Sequence, residues 1–144
     1  MNDHLTSARE RGLRSEGNHC FVCGPANPIG LGVQFRVEDD VCRGEFTPGA
    51  QHMGYINVTH GGIVFSLLDD VMANWLWLQG EQSFTARADI RYRAELPIGT
   101  AVLLEGRCLK RKARLVQMEG KVIGASDDFV YAEATASFML ARNL

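Results

Sequence analysis

The sequence predicts an α+β domain in which an antiparallel sheet packs around a single long helix, and three observations carry that expectation. A nearly unbroken apolar run, IVFSLLDDVMANWLWL, follows two glycines and has the length of a helix rather than a strand. Four segments after it carry strand patterning between turn residues, and a hairpin pattern precedes it. No repeat, linker or low-complexity tract divides the 144 residues, of which 46% are hydrophobic, so one domain with a substantial core is expected.

Taken in order, residues 1–19 are polar and mixed in charge and read as an arm or short helix, with the domain proper at 20–144. The stretch CFVCGPANPIGLG is rich in Gly and Pro, as a loop should be. VQFRV and VCRGEFT, separated by the acidic turn Glu38, Asp39 and Asp40, predict a hairpin. A loop, PGAQHMGYINVTH, leads to the helix, expected over Gly61–Gln79. FTARADIRYRAEL then alternates, with Ala88, Ile90, Tyr92, Ala94 and Leu96 on one face and Arg87, Asp89, Arg91, Arg93 and Glu95 on the other. TAVLLEGRCLKRK, LVQMEGKVIG and FVYAEATASFML complete the sheet, with turns at Ala113–Arg114 and ASDD. In the last strand Ala132, Ala134 and Ala136 share a face, which leaves room for the helix to lie close.

Charge and composition exclude several classes. Lys+Arg 15 against Asp+Glu 17 gives a net charge of -2, so no global positive field exists to hold nucleic acid or an anionic membrane surface. Asp69, Asp70 and Asn74 interrupt the longest apolar run, which falls short of the roughly 20 residues of a membrane span. The N-terminus lacks the apolar stretch of a secretory signal, and Cys20, Cys23, Cys42 and Cys108 read as reduced thiols of a cytoplasmic protein. Cys20 and Cys23 form a C-x-x-C that zinc could use with Cys42 or Cys108, but no second pair follows, so no metal and no cofactor are expected.

Placed at helical spacing, Val64, Leu67, Leu68, Val71, Met72, Trp75 and Leu76 fill a broad apolar arc, and Ser66, Asp70 and Asn74 form a polar stripe. Asp70 sits at the centre of that stripe, where a solvated or interface carboxylate costs little. Asp69 lies at the border of the two arcs. A half-buried carboxylate costs several kcal/mol unless it is used or paired, so Asp69 is either a reacting group or the partner of an arginine or a hydroxyl. Gly61 and Gly62 clear side chains from the end of the helix where N–H groups are unpaired and the dipole is positive. They serve either a tight turn or an oxyanion, and one donor of that kind contributes roughly 2.7–4 kcal/mol to an acyl-transfer barrier.

HGGIVFSLLDD, with four strands after it and a hairpin before, resembles the hotdog-fold acyl-CoA thioesterases of the phenylacetate-pathway type, and CFVCGPANPIGL resembles the lead-in of one branch of them. The resemblance runs from about Cys20 to Leu140. It implies a hotdog fold, hydrolysis of acyl-CoA to free acid and CoA, and a homodimer or dimer of dimers with active sites at the interface. It assigns the carbonyl-polarising amide to Gly61, with Gly62 beside it, and the attacking or water-activating carboxylate to Asp69, nine positions after His60. His60 shapes the turn or hydrogen-bonds near the thiol rather than serving as the base. A hydroxyl that holds water, contributed by the partner subunit, falls on Thr85.

One departure from the resemblance is Gly54, where many relatives carry Asn or Gln; Asn57, His52 or Gln51 are the substitutes within the same loop. Arg91 and Arg93, among the basic residues of the later strands, are candidates for the CoA phosphates. Leu67, Leu68, Trp75, Trp77, Phe84 and Tyr55 are acyl-pocket candidates that core packing explains equally well. A non-catalytic acyl-CoA or acyl-carrier binder is the competing expectation. A hotdog dehydratase ranks below it, because the His near the helix precedes it rather than facing Asp69.

Overall fold

The structure is a computed structural model that describes residues 17–142. The arm expected at 1–19 therefore lies, up to residue 16, outside the described residues. Six strands form one antiparallel sheet: β1 (Arg36–Glu38), β2 (Val41–Phe46), β3 (Ser83–Tyr92), β4 (Val102–Lys112), β5 (Leu115–Gly124) and β6 (Val130–Leu140). Their spatial order is β1-β2-β4-β5-β6-β3, and the long helix α1 (Gly61–Trp77) packs against the sheet. This is the hotdog arrangement, and its β3 is an edge strand.

The turns form where residues able to take left-handed backbone occur. Asp39 and Asp40 have φ of 50° and 66°, the pair of positive values a two-residue hairpin needs to match the twist of its strands. Ala113 (54°) and Asp128 (58°) close the next two hairpins. β1 is shorter than its alternation suggests, because the residues before it bond elsewhere: Leu31 N–H donates to Phe21 O and Val33 N–H to Val22 O, drawing that segment onto the C-x-x-C loop. β3 likewise stops at Tyr92, and the chain beyond it turns to pair with the loop before α1, where Thr59 N–H donates to Leu96 O.

Leu67, Leu68, Val71, Met72 and Leu76 of α1 are fully buried against Leu104, Met118, Val122 and Phe138 of the sheet. Each such side chain contributes about 1.5–3 kcal/mol of apolar burial. The alanines of β6 are buried as expected, yet α1 lies mainly over β4 and β5. Two glycines there set the approach: a Cβ on Gly106 would stand 2.6 Å from Val71 O, and one on Gly120 would stand 3.1 Å from Met72 Cγ. Among the described residues no helix is long and apolar enough to cross a membrane.

The lower part of the polar stripe of α1, Asp70 and Asn74, does not face solvent. Asn74 is only 6% exposed, and the Cys20–Gly24 turn lies over Asp70 and Asn74. The expectation of a solvated Asp70 is thereby corrected. The covering segment comes from some fifty residues upstream, beyond the reach of helical periodicity.

Candidate active site

The site begins at the mouth of α1. His60 is the N-cap residue (φ -58°, ψ 135°), and its Nδ1 accepts a 2.8 Å hydrogen bond from Gly62 N–H. Ile63 and Val64 N–H both donate to His60 O, at 3.0 and 3.2 Å. Gly61 N–H is left without an acceptor among the described residues, at the positive end of the dipole. Of the two glycines, Gly61 therefore presents the open donor, while Gly62 has spent its own on the cap. His60 caps this turn.

Tyr92 closes one side of this mouth. Its hydroxyl donates to Gly61 O at 2.9 Å, and partial burial pushes its phenol above the ordinary value. Alternation put Tyr92 on the inward face of β3, but nothing in the sequence tied it to the helix tip. On the other side lies a compact loop in which Gly54 N–H donates to Val58 O at 2.9 Å and Asn57 takes a positive φ of 63°. Asn57 O accepts from Ile98 N–H, and His52 Nδ1 accepts from Gly49 N–H at 2.8 Å, so His52 is committed to its own turn. A Cβ on Gly54 would lie 3.2 Å from His60 Cα, which places position 54 directly against the cap.

Asp69 lies partly buried farther down the helix, and Thr85 Oγ1 donates to its Oδ1 at 2.5 Å. Among the described residues no cation pairs with Asp69, so of its alternatives the hydroxyl contact is the one formed. The donor belongs to the same chain, which corrects the expectation that a partner subunit supplies Thr85. A β-bulge makes the contact. Ala88, Ile90 and Tyr92 stand opposite Ala136, Ala134 and Ala132 on the inner face, and strict alternation from them would turn Thr85 outward with Arg87. The register slips between Thr85 and Arg87, Ala86 becomes the extra residue, and Thr85 comes to lie opposite the fully buried Phe138 on the inner face.

Other candidates do not converge on one point. Asp69 is eight residues beyond Gly61 on one straight helix, about 12 Å along its axis at 1.5 Å per residue, so one carbonyl cannot touch both groups of a single chain. Arg91 lies on the outer face of β3 opposite Glu133, and Arg93 follows just beyond the end of the strand. There Arg93 pairs with Glu133 and, with Lys121 and Arg91 nearby, holds that carboxyl below its usual range. Leu67, Leu68 and Trp75 are core residues, whereas Tyr55 and Phe84 are 84% and 60% exposed.

The second group that sequence reading missed surrounds Asp70: Cys20 and Cys23 from the loop, and Asn74 from the next turn of α1. Burial raises the Asp70 carboxyl, and burial together with the Asp70 charge raises the Cys23 thiol far above its ordinary value.

The sequence profile of the thioesterase superfamily matches residues 56–131, a span that includes the helix mouth, Asp69 and Thr85. Among characterised proteins, acyl-coenzyme A thioesterase THEM5 of Mus musculus is 26% identical over 94 residues, which are 65% of this chain and 38% of the relative. The match thus spans well under half of that relative's length. Among solved structures, a thioesterase superfamily protein superposes with a TM-score of 0.78 at 26% identity, over 85% of this chain and 60% of the other. The PaaI protein of the E. coli phenylacetic acid degradation operon shares the fold with a TM-score of 0.76 at 16% identity, over 92% and 99% of the two chains.

Proposed function

Because this chain belongs to the thioesterase superfamily, we propose that it hydrolyses acyl-CoA thioesters to free acid and CoA in a homodimer whose every active site joins Gly61 of one protomer to Asp69 of the other. The observation that carries this reading is Asp69 itself: a partly buried carboxylate without a cation, held through one oxygen by Thr85 and leaving the other to act. The 12 Å along α1 supports the shared site, since a second helix running in the opposite sense brings the two groups to one carbonyl. The thioester oxygen accepts from the open Gly61 N–H, which stabilises the charge that develops on it. Asp69 Oδ2 either takes a proton from a water whose oxygen attacks the carbonyl carbon, or attacks that carbon to form an anhydride that water then opens. In both routes the C–S bond breaks and the CoA thiolate leaves and is protonated.

The exposed edge of β3 and the exposed Tyr55 and Ile56 beside the helix mouth supply surface for the dimer. Arg91 and Arg93, at the end of β3, serve the CoA phosphates of a site completed by the partner, and Asn57 and Gly62 line the approach to the carbonyl. The same reading places the protein in the cytoplasm, where acyl-CoA is met by reduced thiols such as its own four free cysteines.

Thiol release from a panel of acyl-CoAs by wild type, Asp69→Asn, Thr85→Ala and the outer-face control Asp89→Asn tests the proposal. Turnover that disappears in Asp69→Asn and persists in Asp89→Asn supports it; full turnover in Asp69→Asn removes it. Gly54, where relatives by resemblance carry an amide, favours one second reading, a binder of acyl-CoA or acyl carriers that has lost hydrolysis. Tight acyl-CoA binding without any thiol release identifies that case.

A further inference from the structure

We propose that Cys20, Cys23 and Asp70 form a binding site for a single thiophilic divalent cation, zinc by its ligand chemistry, that ties the Gly17–Val33 segment to the middle of α1. The three side chains come from two elements far apart in sequence, and one ligand atom from each lies within 4.8 Å of the others. Cys20 Sγ stands 3.7 Å from both oxygens of Asp70. That is long for a strong hydrogen bond, and close to the roughly 3.5 Å S···O edge of a tetrahedron with Zn–S near 2.3 Å and Zn–O near 2.0 Å.

The surroundings are those of a built ligand set. Asn74, itself buried, points its amide at both partners, donating to Asp70 Oδ2 at 3.0 Å and to Cys23 Sγ at 3.8 Å. Cys23 N–H donates to Cys20 Sγ at 3.5 Å, the backbone contact that steadies a thiolate carried on a tight turn. Such outer contacts orient ligands and tune their charge. The turn itself admits no side chain after Cys23: a Cβ on Gly24 would lie 2.3 Å from Cys20 N and 2.5 Å from Asn18 O. Among the described residues no cationic side chain pairs with Asp70, so a metal ion that displaces the two thiol protons meets no competing cation at the cluster. Beside the cluster a cavity of about 140 Å³, walled in part by Trp77 and Ser83, leaves room for a water as fourth ligand.

The C-x-x-C alone suggested completion by Cys42 or Cys108; the structure supplies the third ligand from the helix instead. Binding to the reduced protein exchanges two thiol protons for the ion and changes no oxidation state. The reduced full-length chain, stripped with chelator, is titrated with cobalt(II) and then zinc(II). One equivalent of cobalt with a thiolate-to-metal charge-transfer band, displaced by zinc, is expected. Cys108→Ser keeps the band, a Cys20→Ser/Cys23→Ser variant loses it, and Asp70→Asn weakens binding at least about tenfold. Failure of the reduced wild-type chain to give a stoichiometric charge-transfer band overturns the proposal, whether or not the variants fold. So does a folded Cys20→Ser/Cys23→Ser variant that binds cobalt like wild type.

Discussion

Thr85 Oγ1 donates to Asp69 Oδ1 at 2.5 Å, and it reaches the helix side of the sheet only because β3 slips register at Ala86. A hydrogen bond to a charged acceptor contributes about 1.5–3 kcal/mol. If Asp69 reacts from this position, Thr85→Ala lowers kcat roughly 10- to 100-fold, and Thr85→Ser restores most of it. Deleting Ala86 is the complementary experiment: it removes the bulge yet leaves Thr85 inward opposite Phe138, because the residue next to Arg87 then alternates inward, so turnover should stay near that of wild type while circular dichroism stays that of the folded sheet. Unchanged turnover in Thr85→Ala separates Thr85 from the chemistry.

The cap at the helix mouth has its own energy. His60 Nδ1 satisfies Gly62 N–H, and losing an N-cap of this kind costs about 1 kcal/mol. His60→Ala should lower the melting temperature by about 2–4 °C in a domain of this size, and His60→Asn, whose side chain also caps, should recover most of it. Thermal unfolding of the three proteins decides the matter; equal stability of the Ala and Asn variants removes capping as the role of His60.

Close approach of α1 to the sheet predicts a contrast between two glycines. A methyl on Gly106 meets the carbonyl of Val71 at 2.6 Å, and helix backbone cannot move aside. A methyl on Gly120 meets Met72 at 3.1 Å, and a flexible thioether can. Gly106→Ala should therefore destabilise by about 1–3 kcal/mol and Gly120→Ala by under about 1 kcal/mol in denaturant titration. Equal effects would place the contact elsewhere.

Legibility followed range. The helix and the last three strands were plain from the sequence, because helical spacing, alternation and turn residues act between near neighbours. Asp69 was singled out by its border position and Gly61 by its place at the N-terminal end of the helix, whereas His60 entered through resemblance. Thr85 was reached only through resemblance, since period two points it outward and no local residue announces the bulge at Ala86. The meeting of Asp70 with Cys20 and Cys23 was hidden for a different reason. It depends on a loop folding back across fifty residues onto a helix face that looks solvated when α1 is considered alone. Tyr92 on Gly61 O is of the same kind, a contact thirty-one residues apart.

The length of α1 makes the last prediction. With Gly61 and Asp69 about 12 Å apart on one helix, the proposed mechanism requires the donor of one chain and the carboxylate of another. Gly61→Pro deletes that donor with little disturbance. Position 61 is the first of the helix, where proline is favoured, and His60 already has the extended backbone that proline imposes on the residue before it. Alone, Gly61→Pro should lose about 100- to 1,000-fold in kcat, the usual cost of one oxyanion donor. Asp69→Asn alone should be inactive. Co-expressed in equal amounts, the two variants form mixed dimers in which one site carries both defects and the other carries neither. Half of the dimers are mixed and half of their sites intact, so about a quarter of the wild-type rate should return. Recovery of thiol release in the mixture means that the two groups act across the interface. A mixture no more active than its components means that each chain carries its own site, and then a Gly61 donor and an Asp69 carboxylate cannot both belong to it.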